Sequence, residues 1–160
     1  MKSILVLENI RSAYNVGNLI RTADGLGREV IISWYTPHPA EQEKVRKTSL
    51  GAEGVVLSKH FREPSETIDY LVQKNYVLVA GEKTEHSFSL EELWTKWVTF
   101  KDYAGVALVL GNEKTWVLDE TLFRADFIVH ISMQWMKESF NVWQAGAILM
   151  REINKIVKNS

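Results

Sequence analysis

The chain has 160 residues, a length typical of one domain, because domains commonly span about 100–200 residues. Hydrophobic residues make up 46% of the sequence and charged residues 24%, which argues against a disordered, collagen-like or coiled-coil protein. The chain has no cysteine, so disulfides, thiolate nucleophiles and cysteine–zinc sites are excluded. The formal net charge is −1, so a nucleic-acid-binding surface would require basic residues concentrated on one face.

The lengths of the apolar runs indicate where in the cell the protein is located, and the spacing of the histidines indicates whether it binds a metal. No apolar run approaches the ~18 residues of a membrane helix, and the N-terminus reaches Glu8 too early for a signal peptide. These features predict a cytoplasmic protein without a membrane partner. No metal site is predicted, because the histidines are far apart without HExxH-type spacing. They are His38, His60, His86 and His130.

Short apolar runs alternate with helix-like stretches along the chain. Strands are predicted over residues 4–7, 30–33, 54–57, 76–80, 106–110 and 127–131. Their Val/Ile/Leu content without strict polar alternation is typical of a parallel sheet covered on both faces. Helices are predicted over residues 15–26, 41–50, 65–74, 90–97 and 139–158. The alternation predicts a single α/β domain over residues 1–160.

A polar segment follows the first predicted strand. Asn15 is a plausible N-cap for the next helix. The predicted buried face of this helix consists of Val16, Leu19, Ile20 and Ala23. The helix then places three polar residues off this face, toward the region above the carboxyl end of the first strand. They are Asn18, Arg21 and Asp24. From spacing alone, Arg21 also fits a solvated helix arginine paired with Asp24 or Glu8.

Two further polar segments follow strands near the C-terminus. Gly111 ends the fifth predicted strand, and a glycine there either forms a tight turn or lets a ligand approach the backbone. Residues 131–142 separate the last strand from the last helix. Ser139 or Asn141 in this segment can cap that helix, or the loop can fold over a small ligand. No G-x-S-x-G elbow marks Ser139 as a hydrolase nucleophile.

Four motifs occur in order along the chain. They are N-V-G-x-x-x-R-T-A-D from Asn15 to Asp24, K-V-R-K-T-S-L-G-A-E over 44–53, L-V-L-G-N-E over 108–113 and K-E-S-F-N-V over 137–142. Together they resemble the SpoU (TrmH-like) branch of the SPOUT class of RNA methyltransferases. The resemblance extends over nearly the whole chain, from about Ile4 to Glu152.

The resemblance implies a fold and an activity. Members of this family transfer a methyl group from S-adenosylmethionine to a ribose 2′-oxygen of tRNA or rRNA, with S-adenosylhomocysteine as product and without a metal. The implied fold is a mostly parallel α/β domain with helices on both faces and a deep C-terminal trefoil knot. The knot follows from the resemblance alone, because general topology rules argue against knots. The implied partners are RNA and a second copy of the chain.

The resemblance also implies site residues. The implied catalytic residues are Arg21, Asn15, Glu113, Ser139 and Asn141. The implied cofactor-binding residues, acting largely through the backbone, are Gly111, Ile131, Phe140, Asn112, Met133, Ala80 and Gly81. The implied RNA-binding residues are Arg11, Lys44, Arg46 and Lys47. Because guanidinium stays protonated, we expect Arg21 to stabilise a developing alkoxide rather than to accept a proton.

The sequence departs from the family pattern at several bulky positions. Trp116 and Trp135 stand where glycine is usual, Ser132 replaces a proline and Trp143 replaces a small residue. One alternative is therefore a non-catalytic RNA-binding relative in which Trp116 and Trp135 block the cofactor. Another is an unknotted, flavodoxin-like nucleotide-binding enzyme, although residues 9–15 lack the glycines of a phosphate-binding loop.

Overall fold

The computed structural model describes residues 1–96, 102–112, 114–134, 136 and 139–159, with the side chains of all but residues 94, 96, 158 and 159. The strands of the described residues are β1 (Lys2–Glu8), β2 (Glu29–Ser33), β3 (Leu57–Phe61), β4 (Tyr76–Gly81), β5 (Phe88–Ser89), β6 (Gly105–Leu110) and β7 (Phe127–His130). They form one seven-stranded sheet in the order β3-β2-β1-β6-β4-β7-β5. Every strand pair is parallel, as predicted.

Helices cover both faces of this sheet. They are α1 (Ala13–Gly25), α2 (Glu43–Ser49), α3 (Glu53–Val56), α4 (Pro64–Gln73), α5 (Leu90–Lys96), α6 (Asp119–Arg124) and α7 (Val142–Asn159). Leu5 and Leu7 of β1 belong to the apolar cluster beneath α1 and α7. Ile4 and Val6 belong to the opposite cluster, which includes Ile68 of α4. The central strands are therefore apolar on both sides, which explains their continuous apolar runs.

The prediction of a strand over residues 54–57 is wrong. Residues 53–56 form the short helix α3, and β3 begins at Leu57. The chain reverses after α2 through Leu50 at φ 53° and Gly51 at φ 92°. Glu53 then holds the new turn, since its Oε2 accepts from the Gly51 N–H at 3.1 Å and from the Ser49 hydroxyl.

Several other strands and helices were not predicted or begin at a different residue. β3 is an edge strand whose middle residues are exposed, so it lacks an apolar run. The two-residue strand β5 and the six-residue helix α6 are too short for a periodic signal. α7 begins at Val142 rather than at residue 139. Residue 97, the last of the predicted fourth helix, lies outside the described residues.

A buried arginine joins the start of the sheet to the last helix. Arg28 is 1% exposed, and its Nη1 donates to the Ile4 carbonyl at 3.3 Å. Its Nη2 donates to the Met150 carbonyl of α7 at 3.1 Å. Burial lowers the pKa of Arg28 to about 10, so the side chain remains protonated at neutral pH.

Among the described residues, no helix combines the length and apolar character required to cross a membrane.

Candidate functional site

A cleft of about 830 Å³ opens at the carboxyl ends of β4, β6 and β7. Its apolar wall includes Leu110, Val129, Ile131, Phe140 and Leu149. This volume lies within the range of about 300–1,000 Å³ that is usual for small-molecule sites. In open α/β sheets, ligands bind outside the carboxyl ends of the strands, so the position also favours a binding site.

A tight loop after β6 forms one side of the cleft. The Asn112 Oδ1 accepts from the backbone N–H groups of Lys114 at 2.7 Å and Thr115 at 2.8 Å. The Asn112 Nδ2 donates to the Asn9 carbonyl at 3.0 Å. Asn112 is 3% exposed, and its side chain holds the loop in shape through these hydrogen bonds.

Gly111 is required by the closeness of this loop. A Cβ atom at Gly111 would lie 2.2 Å from the Trp116 carbonyl oxygen, far inside contact distance. Trp116 itself has φ 59°, a conformation that glycine adopts far more readily than tryptophan. Trp116 lines the cleft and is 53% exposed.

Two carboxylates fix the segment that leads into α6. The Glu8 Oε1 accepts from the Leu118 N–H at 2.9 Å, and its Oε2 accepts from the Thr121 hydroxyl at 2.6 Å. The Glu82 Oε2 accepts from the Val117 N–H at 3.3 Å. Burial raises the pKa of Glu8, although these hydrogen bonds oppose that effect. Neither role was predicted from the sequence, although each acid directly follows the apolar part of a strand.

α1 carries the first motif and packs closely on α2. A Cβ atom at Gly17 would lie 1.7 Å from the Thr48 Oγ1 and 2.6 Å from the Val45 carbonyl. This position therefore requires glycine. Because the two helices touch here, the surface of α2 that carries Lys44 and Lys47 adjoins the helix that carries Arg21.

The SpoU rRNA Methylase family model matches residues 2–151 of the chain. The chain belongs to this family. It is 28% identical over 153 residues to the 23S rRNA (guanosine-2′-O-)-methyltransferase RlmB of Coxiella burnetii. This alignment covers 95% of this chain and 58% of that protein. The chain is 25% identical over 156 residues to the tRNA (guanosine(18)-2′-O)-methyltransferase of Escherichia coli K12, covering 96% and 63%. The chain thus spans about three-fifths of these relatives.

The fold agrees with solved structures of the SpoU class. The AdoMet-bound rRNA methyltransferase from Sinorhizobium meliloti superimposes with a TM-score of 0.82 at 22% identity, over 96% of this chain and 56% of that chain. Family membership and this fold are inconsistent with the flavodoxin-like alternative. The trefoil knot that the resemblance implies stays a prediction.

The structure brings most of the predicted cofactor positions of this SpoU chain together. The cleft is lined by Gly81, Gly111, Asn112, Ile131, Met133 and Phe140. Ala80 is fully buried one residue before the cleft and does not line it. Glu82 and His130 also line it and were missed by the sequence analysis. The His130 Nδ1 lies 2.9 Å from the Ser87 Oγ, which fixes the ring against the segment after β4.

The predicted catalytic positions are more dispersed. Ser139 lines the cleft, whereas Asn141 caps α7, since its Oδ1 accepts from the Trp143 N–H at 3.1 Å. Asn15 and Arg21 of α1 do not line the cleft of their own chain. Glu113 lies outside the described residues, as does Trp135.

Two local predictions for α1 are corrected. Ser12 rather than Asn15 is the N-cap, because the Ser12 Oγ accepts from the Asn15 N–H at 3.3 Å and the helix begins at residue 13. Arg21 is exposed, and within the described residues it forms no ion pair with Asp24 or Glu8. Glu8 is instead buried against Thr121. The predicted buried face of this helix is confirmed.

The predicted RNA-binding residues all lie on the surface. Arg11, Lys44, Arg46 and Lys47 are exposed. Lys47 pairs with Glu43 at 3.2 Å, and the Arg46 Nη1 donates to the Pro39 carbonyl.

The described residues contain no group of three or more His, Asp or Glu side chains arranged to hold a metal ion.

Proposed function

We propose that this SpoU-family chain transfers a methyl group from S-adenosylmethionine to a ribose 2′-oxygen of RNA. The observation that carries the proposal is the convergence, on one cleft at the carboxyl edge of the sheet, of six positions that the family resemblance implies, from three segments distant in sequence. The relatives named above act on tRNA and on rRNA, so both RNA classes are candidate substrates. We place this activity in the cytoplasm.

The cleft suits a nucleoside-containing cofactor. Its apolar wall can bury an adenine ring, and Gly111 and Ile131 line it. The carboxylates of Glu82 and Asp119 line the same cleft and complement a positively charged ligand. When bound, S-adenosylmethionine supplies an already activated methyl group on sulfur.

The remaining chemical task is to align and activate a weakly acidic ribose hydroxyl. We assign Arg21 the electrostatic stabilisation of the alkoxide that develops on this oxygen. Since Arg21 does not line the cleft of its own chain, this role requires a homodimer in which α1 of one protomer faces the cleft of its partner. The exposed position of Arg21 on α1 is compatible with that arrangement.

The Arg21→Ala variant tests this function. We expect turnover with bulk tRNA and rRNA to fall by about 10²–10³-fold, the usual effect of removing one charge-stabilising donor. Binding of S-adenosylmethionine, measured by calorimetry, should remain unchanged. Arg151→Ala, on the exposed side of α7, is the matched control and should retain activity. Loss of cofactor binding in Arg21→Ala would instead indicate a structural role for this arginine.

A mixing experiment tests the dimer. Arg21→Ala and a cleft-defective Gly111→Val variant should each be inactive alone. Mixed under conditions that exchange subunits, they should regain partial activity, because a heterodimer holds one intact cleft facing one intact Arg21. No recovery despite proven subunit exchange would contradict the assignment across the interface.

The alternative of a non-catalytic relative makes a separate prediction. An occluded cleft would not bind S-adenosylmethionine at micromolar strength. A volume of about 830 Å³ remains in the cleft that Trp116 lines, which favours the catalytic function. Calorimetry of the unmodified protein with S-adenosylmethionine decides between the two.

A further inference from the structure

The loop after β2 presents two aromatic rings outside the cleft. The ring centroids of Trp34 and Tyr35 lie 4.9 Å apart, with an interplanar angle of 39°. Tyr35 is 75% exposed, whereas Trp34 is partly buried beneath the loop surface. Single exposed aromatic side chains are common on proteins, so this exposure requires further support before it indicates a function.

The first support is the conformation of the loop. Trp34 has φ 57°, which a bulky side chain rarely adopts. Its N–H donates to the Phe61 carbonyl at 3.0 Å. The buried Thr36 hydroxyl donates to the Leu7 carbonyl at 2.8 Å and accepts from the Ile10 N–H at 3.0 Å. Strained residues that their surroundings fix in this way cluster at functional sites, and the aromatic pair is therefore preorganised.

The second support is the charge around the loop. Ile10 and Phe61 form hydrogen bonds with this loop, and Arg11 and Arg62 are the residues that follow them. Both arginines are exposed, and neither forms an ion pair in the part of the chain that the structure describes. Arg46 reaches the same loop, since its Nη1 donates to the Pro39 carbonyl. Three exposed arginines therefore lie in segments that adjoin the aromatic loop.

Acidic side chains near this loop are largely engaged elsewhere. Glu43 pairs with Lys47 at 3.2 Å. Glu63 accepts from a backbone N–H of α4 in a capping box. Glu41 is exposed at the far end of the loop. Three exposed arginines in these segments outnumber the two carboxylates, Glu41 and Glu63, that form no ion pair among the described residues, so this surface can attract phosphate groups although the chain as a whole is close to neutral.

The third support is the connection to the cleft. The Asn9 N–H donates to the Ser33 carbonyl at 3.4 Å, and the Asn9 Nδ2 donates to the Thr115 Oγ1 at 3.2 Å. Asn9 therefore joins the aromatic loop to the loop that borders the cleft. Only β1 lies between β2 and β6, which separates the two strands by about 10 Å at the usual strand spacing.

We propose that Trp34 and Tyr35 form a stacking platform for an unpaired base of the substrate RNA, near the nucleotide that is methylated. This inference rests on the proposed function and deepens it, because it specifies single-stranded or loop RNA. Proteins recognise such RNA by stacking splayed bases on aromatic rings while arginines contact the phosphates. The three arginines and the exposed Tyr35 ring provide both contacts.

Substitution of Tyr35 tests the platform. The probe is a fluorescein-labelled oligouridine, whose binding to the full chain is followed by fluorescence anisotropy. Tyr35→Ala should weaken binding about 5- to 150-fold, the usual contribution of one stacked base, and Tyr35→Leu should do the same because it lacks a π face. Tyr35→Phe should bind like the unmodified protein. Phe123→Ala, which removes a 91% exposed ring on α6, is the control and should have no effect.

Methylation of bulk tRNA and rRNA gives a second readout. Tyr35→Ala should raise KM without lowering kcat, and calorimetric binding of S-adenosylmethionine should not change. If unmodified protein binds and methylates RNA but Tyr35→Ala binds RNA equally well, the platform is wrong and the proposed function stands. If unmodified protein binds the cofactor but neither binds nor methylates RNA, both are overturned. A Tyr35→Phe variant as weak as Tyr35→Ala would overturn stacking.

Discussion

The Glu8 Oε2 accepts a hydrogen bond from the Thr121 hydroxyl at 2.6 Å, across a sequence separation of 113 residues. Its other oxygen accepts from the Leu118 N–H. A carboxylate at the end of the central strand β1 therefore positions the first turn of α6 and, through it, the loop that borders the cleft.

The pH dependence of stability should report on Glu8. Burial raises its pKa above the ordinary value of 4.5, so the folded state binds this proton more tightly than the unfolded state does. The contribution of Glu8 to stability therefore falls as pH rises from about 4.5 through the raised pKa. Glu8→Gln should remove this slope in urea denaturation experiments; an unchanged slope would contradict the assignment.

Removal of the Glu8 carboxylate should destabilise the protein. Glu8→Ala leaves the Leu118 N–H and the Thr121 hydroxyl without their acceptor inside the protein. We expect it to lower the free energy of unfolding by about 1–3 kcal/mol. Thr121→Val, which removes only the hydroxyl, should cost less because the backbone hydrogen bond to Leu118 persists.

Gly111→Ala should disrupt the cleft. The added Cβ would meet the Trp116 carbonyl oxygen at 2.2 Å, so the loop has to move. We expect a loss of about 1–3 kcal/mol in stability and a weaker calorimetric affinity for S-adenosylmethionine. Gly25→Ala is the matched control, because nothing lies within 4 Å of its added Cβ. That control should leave cofactor affinity unchanged and alter stability by no more than about 1 kcal/mol.

Trp116→Gly should stabilise the protein slightly. The left-handed conformation costs a non-glycine residue about 1–2 kcal/mol, and the greater flexibility of unfolded glycine offsets about 0.5–1 kcal/mol of that gain. Trp116→Ala removes the indole without relieving the backbone, so it should show no such gain. Cofactor affinity should stay close to that of the unmodified protein in both variants. A marked tightening in both would mean that the indole blocks the cleft.

Four of the five strands predicted correctly, β1, β2, β4 and β6, are buried over most of their length. In β6 all six residues are buried, so its apolar run is continuous. β3 has one neighbour and exposed Ser58, Lys59 and His60, so its sequence resembles a loop. The short helix before it was mistaken for a strand because Val55 and Val56 favour strands, while the Glu53 carboxylate decides the local structure.

The candidate site was predictable in part. Helical periodicity placed Arg21 off the buried face of α1, and the structure confirms this exposure. The family resemblance identified the backbone positions of the cleft, which no spacing rule could supply because they come from three separate loops. The roles of Glu8 and Glu82 depend on hydrogen bonds to residues more than thirty positions away, so their positions at strand ends do not identify their partners.

The position of β1 in the sheet has a consequence for biosynthesis. β1 pairs with β6, with Lys2 opposite Gly105, although about 100 residues separate the two strands in sequence. At about 5–20 residues per second, the ribosome needs roughly 5–20 s to reach that partner. During this interval the apolar segment from Ile4 to Leu7 has only β2 beside it. We therefore expect the nascent chain to depend on chaperones, and truncated products that end before β6 to aggregate.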